Sequence, residues 1–139
     1  MPRTVAVCVV AVLLVATAAL AQTDERTRVF DASMDRVWTV ARSALKGAGW
    51  AIEKDDKAAG LMLTDSRRLE GEDFTVYASG VTHRLRVVLR TLPDGKTSVT
   101  IERRVWKEER VLWMDRGRDL PTTDHKLESE ILDAIGAAL

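Results

Sequence analysis

The stretch THRLRVVLRT (82–91), LPDGK (92–96), TSVTIERRV (97–105) decides how this chain folds. In its first run Leu85, Val87 and Leu89 alternate with Arg84, Arg86, Val88 and Arg90. In its second, Val99, Ile101 and Val105 alternate with Thr100, Glu102 and Arg104. A period of two puts successive side chains on opposite faces of a strand, so both runs read as half-buried strands. Between them, Pro93 presets the dihedral of the first turn position and Gly95 takes the left-handed one that closes it. The reading is an antiparallel hairpin with Leu, Val and Ile on the core side. Its Arg and Glu side chains face solvent or a partner.

Working towards the amino terminus, Gly60 to Ser66 reads as a strand, with Leu61 and Leu63 on one side and Met62 and Thr64 on the other. Trp50 to Lys54 reads as another, ended by a charged turn at Asp55-Asp56-Lys57, while Arg67 to Asp73 reads as a charged loop. Before these, Met34, Val37, Trp38, Ala41 and Leu45 recur at the spacing of one helical stripe. Asp31-Ala32-Ser33 supplies N-cap chemistry ahead of it and Gly47-Ala48-Gly49 a stop behind it. Arg28-Val29-Phe30 reads as a short first strand.

Towards the carboxyl terminus, the strand runs on past Trp106 and gives way to a loop before Pro121. Thr122-Thr123-Asp124 then caps a final helix whose stripe is Leu127, Ile131, Ile135 and Leu139, with Ala134 and Ala138 beside it. The order β-α-β-β-β-β-α defines an α+β fold. A sheet with one apolar face and two amphipathic helices with one stripe each solve each other's burial when both helices pack on that face. The expected sheet has four or five strands and leaves its other face partly open.

The first twenty-one residues read differently. Met1-Pro2-Arg3 is a short positive start, Val5 to Ala19 is nearly unbroken apolar sequence, and Ala19-Leu20-Ala21 matches a small-residue cleavage site. This predicts a signal peptide at 1–21, a flexible lead-in at 22–27 and a single α+β domain at 28–139. The protein is then periplasmic or otherwise exported. The cleavage site, with no positive charge flanking it, favours this over an uncleaved membrane anchor. The single cysteine, Cys8, falls inside the leader and follows bulky Val7, which argues against lipidation. The remainder has no cysteine and so no disulfide staple or thiol catalysis.

The residues Val29-Phe30, Asp35-Arg36-Val37-Trp38, Ala44-Leu45, Gly49-Trp50-Ala51-Ile52, Asp55 and Gly60-Leu61-Met62-Leu63-Thr64 together resemble the domain pattern of BamC-type (NlpB-like) envelope proteins. There a helix bearing Val-Trp leads into Gly-aromatic-x-Ile and then Gly-hydrophobic-hydrophobic-x-Thr. The resemblance covers residues 28 to 66 by motif and the rest by element order. It implies a helix-grip fold and a place beside the outer-membrane β-barrel assembly machine. This chain differs in carrying one such domain and no lipidation cysteine.

Charge and motif exclude several classes of function. Lys plus Arg and Asp plus Glu are balanced at 21 each, and losing Arg3 with the leader leaves a charge of about −1, without the basic footprint of a nucleic-acid binder. His83 and His125 lie in no metal-ligand spacing and read as surface residues, so no metal site or cofactor is expected. Ser66, Ser79 and Ser98 lie in no nucleophile elbow. Asp55-Asp56 and Glu70-Gly71-Glu72-Asp73 lack the alternation of a calcium loop. The expectation is a non-enzyme.

The four tryptophans divide. Trp38 and Trp50 read as core. Trp106 lies on the polar-facing parity of its strand, and Trp113 follows in a charged segment. Aromatic residues and arginine dominate binding hot spots, so Arg86, Arg104, Trp106 and Trp113 are the candidate contacts for an envelope protein partner. Two other readings stand beside this one. The segment from Arg110 to Leu120 folds over Trp106 and buries it, or the space between sheet and helices carries a small apolar ligand or lipid. The arginines near Glu102, Glu108 and Glu109 also suit cross-strand ion pairs.

Overall fold

In the computed structural model, which describes residues 24–69, 78–122 and 124–139, the chain forms one antiparallel sheet and two helices. The expected leader, Cys8 and the segment Glu70–Asp73 lie outside the described residues. The elements run β1 (Thr27–Phe30), α1 (Met34–Gly47), β2 (Ile52–Asp56), β3 (Leu61–Thr64), β4 (Arg67–Leu69), β5 (Ala78–Thr91), β6 (Thr97–Val111), β7 (Met114–Leu120) and α2 (Lys126–Ala138). This is the expected order, enlarged to seven strands by β4 and β7.

The hairpin of β5 and β6 is the axis of the sheet. Its register pairs Leu89 with Val99, Val87 with Ile101 and Thr91 with Thr97, so the apolar residues of both strands share one face. Gly95, at φ 82°, closes the turn, with the Leu92 carbonyl accepting from Gly95 N–H and the Lys96 carbonyl from Leu92 N–H. Strand order is β1-β6-β5-β3-β2, with β4 on β5 and β7 on β6. The turn-proximal halves of β5 and β6 are thus flanked by β1, β3 and β2, and their distal halves by β4 and β7.

Both helices lie on the apolar face and touch each other. Ser33 caps α1, its hydroxyl accepting from Arg36 N–H, and Val37, Trp38, Ala41 and Leu45 are buried as the stripe requires. They join Phe30, Trp50, Met62, Leu85, Val87, Leu89, Val99, Ile101, Ile131, Leu132 and Ile135 in one core. The buried stripe of α2 is Glu128, Ile131, Leu132 and Ile135, rotated from the predicted one, so that Leu127 and Leu139 lie at its margin. His125 occupies the α2 N-cap position without a side-chain cap bond. Asp124 accepts from Lys126 N–H instead, and Thr123 lies outside the described residues.

The loop readings of Arg67 onward and of the segment before Pro121 need correction. Arg67–Leu69 is a strand on β5, and Met114–Leu120 pairs along β6 from Val111 to Val105. The β7 sequence MDRGRDL is mostly charged, and its described side chains are exposed but for half-buried Leu120. It therefore carries no apolar periodicity for pattern reading to find.

Candidate functional site

The open face of the sheet carries the even-numbered residues of β5 and β6. Arg84 lies opposite Arg104 and Arg86 opposite Glu102 in the register, a block of three arginines and one glutamate. Like charges directly opposite each other destabilise a strand pair, and carboxylates at the margin compensate. Arg84 reaches Glu53 at 2.6 Å, Arg86 reaches Glu102 at 2.8 Å and Arg104 reaches Asp119 at 2.9 Å. Of the acids the sequence placed near these arginines, Glu102 pairs with Arg86, while Arg84 and Arg104 take Glu53 and Asp119 instead. Being solvent-exposed, each contributes of order 0–1 kcal/mol, so an incoming carboxylate can replace them at little cost.

Trp106 stands on this face between Arg104, whose guanidinium lies 5.1 Å from the ring centroid, and Gly117 of β7. A Cβ at Gly117 would be 3.8 Å from the ring. The segment after Arg110 does not fold over the face to cover Trp106. It extends the sheet edge as β7, and the indole is left half-buried. Between the start of β1, at Thr100, and the end of β7, at Val105, the edge of β6 has no strand neighbour among the described residues. Thr122 Oγ1 donates to the Arg103 carbonyl there. A groove of about 390 Å³ opens at that notch, lined by Arg86, Glu102, Arg103, Arg104, Val105, Asp119 and Leu120.

Of the four candidate contacts, the fold brings Arg86, Arg104 and Trp106 together and places Trp113 elsewhere. Trp113 sits at the tip of the β6–β7 hairpin, 84% exposed, five or more residues beyond Trp106, or roughly 17 Å along the strand.

Behind the same strands lies a polar cluster that pattern reading missed. Arg103 has the core-facing parity of Val99 and Ile101. Its guanidinium meets Glu128 at 3.3 Å, with side-chain exposures of 13% and 0%. It also donates to the Asp124 carbonyl at 2.6 Å, fastening the start of α2 to β6. His125 Nδ1 lies 3.5 Å from the same carboxylate oxygen. The available signal was a charged residue at a core position of each element, Arg103 on the strand and Glu128 on the helix.

His83 is not a surface residue. It is 7% exposed, tilted against Trp50 with ring centroids 4.8 Å apart, and Arg67, its cross-strand partner, lies over the Trp50 ring at 4.4 Å from the centroid. Burial, then repulsion from Arg103 and Arg67, hold its pKa below the usual 6.5, with Glu128 opposing. Among the described residues no group of three or more His, Cys, Asp or Glu side chains is placed to hold a metal, and no helix is long and apolar enough to cross a membrane. No family model and no curated protein matches the chain.

Proposed function

We propose that this protein is an exported, non-enzymatic binding module of the bacterial cell envelope, engaging a protein partner through the open face of its sheet. The observation that carries this reading is the Arg104–Trp106 stack beside the notch groove, with Arg86 and Arg84 adjoining. A half-buried indole supplies apolar contact area. Guanidinium groups held in weak, exposed ion pairs supply directional bonds to carboxylates. The partner surface that fits is one presenting acidic side chains around an apolar residue. The leader-like start of the chain and the resemblance to BamC-type proteins support the envelope setting and suggest proximity to outer-membrane protein assembly. The competing reading, a carrier of small apolar ligands, would use the space between helices and sheet, where Trp38, Leu45, Met62, Leu85 and Leu132 are buried in one core.

The test is a photoreactive residue at Trp106 in the exported protein, with Lys46 on the helical side as control. A specific adduct at 106 that disappears with Arg86→Glu/Arg104→Glu is the expected result. A normally exported and folded protein that captures nothing at 106, or the same species at both positions, would sink the open-face assignment.

A further inference from the structure

The β6–β7 hairpin ends in three consecutive apolar residues, Leu112, Trp113 and Met114, exposed by 76%, 84% and 49%. Two residues connect the strands, since Val111 pairs directly with Met114. Leu112 holds φ at 60°, a conformation at this turn position that favours glycine. A large apolar side chain sits where glycine would be less strained and is turned out into solvent, which serves neither core nor turn.

The ribbon behind the tip is electrically two-faced. On the face that continues the core side, Lys107 pairs with Arg118 and the next register position brings Arg116, opposite Glu109. On the open side, Trp106 pairs with Asp119, Glu108 with Gly117 and Arg110 with Asp115. Strand alternation thus leaves an excess of cations on one side of an apolar point and an excess of acids on the other.

We propose that this hairpin docks on the surface of an anionic lipid bilayer. Leu112, Trp113 and Met114 enter the boundary between headgroups and acyl chains, and the exposed Arg116 and Arg118 meet the lipid phosphates. Tryptophan is suited to that boundary, apolar over most of its ring with one N–H to keep wet. Cations beside an inserted apolar segment gain from the negative surface potential of anionic lipid. Area decides between a bilayer and a protein. A stable protein interface takes about 800 Å² from each partner, and a two-residue tip cannot supply that, whereas a bilayer closes around it. The assignment is independent of what the open face binds.

The experiment uses protein recovered after export, mixed with phosphatidylcholine vesicles with and without phosphatidylglycerol. Co-sedimentation measures association, and brominated acyl chains report whether tryptophan is quenched. Expected is association only where phosphatidylglycerol is present, with quenching that Trp113→Ser removes and partitioning that Arg116→Glu/Arg118→Glu weakens roughly tenfold or more. These positions are exposed, so circular dichroism should show both variants folded. Absence of association, association without quenching at Trp113, or equal association with neutral vesicles would overturn the proposal. Loss of crosslinking at Trp106 leaves it untouched, which separates the two assignments.

Discussion

Removing either member of the Arg103–Glu128 pair strands the other charge in the core. Glu128→Leu should therefore cost about 3–5 kcal/mol of unfolding free energy in urea titrations, while Arg103→Met/Glu128→Leu should return close to wild type. Equal losses in the single and double variants would mean that the apolar neighbours, not the charge, set the cost. His83 gives a second residue-scale test. Its folded pKa lies below 6.5, so the stability it contributes as a neutral ring is complete above pH 6.5. That contribution is lost as pH falls through the folded value. His83→Phe should flatten the stability–pH curve in that acid window, and identical slopes for the two proteins would refute it. Neither residue was legible beforehand. Val99, Ile101 and Val105 define a core parity, and Arg103 interrupts it in a way that only the partner on α2 explains. His83 differs from a surface histidine only through Trp50, thirty-three positions away in sequence.

Gly60, between β2 and β3, shows how elements limit one another. Its φ is 67°, and a Cβ there would stand 2.3 Å from the Leu89 carbonyl oxygen, which belongs to the strand whose amide donates to the Gly60 carbonyl at 2.8 Å. Gly60→Ala should destabilise by roughly 1–3 kcal/mol. Gly47→Ala, at the end of α1 with open space around it, should stabilise by about 0.5 kcal/mol. Thermal melts of the two variants shifting in opposite directions would confirm the contrast, and a shared direction would contradict it. The elements most legible in the sequence were those with one wet face and one dry: α1, β3, β5 and the first half of β6. β4 and β7 were not legible. Three residues give β4 no period, and β7 is charged along most of its length because most of its described side chains meet water.

Seen whole, the sheet has a half that the helices cover and a half that projects past them. Local opening should follow that division. Amides of Val87, Leu89, Val99 and Ile101 should exchange near the global unfolding free energy, and those of β7 well before. Uniform protection across β6 and β7 would show instead that the projecting ribbon unfolds only with the core. The covered half is the part that composition and periodicity foretold; the projecting half depends on pairing between stretches with no apolar signature. The outer margin of β7 also has a colloidal consequence. Read outward from Gly117, its sequence mirrors itself, with Arg116 and Arg118, then Met114 and Leu120, at matching distances. A second copy adding antiparallel to this margin keeps each face of the sheet on its own side, and so sets arginine against arginine. Among the described residues β7 has no strand on its outer margin, and that margin is a poor template for its own kind, because crowded copies meeting there bring like charges together.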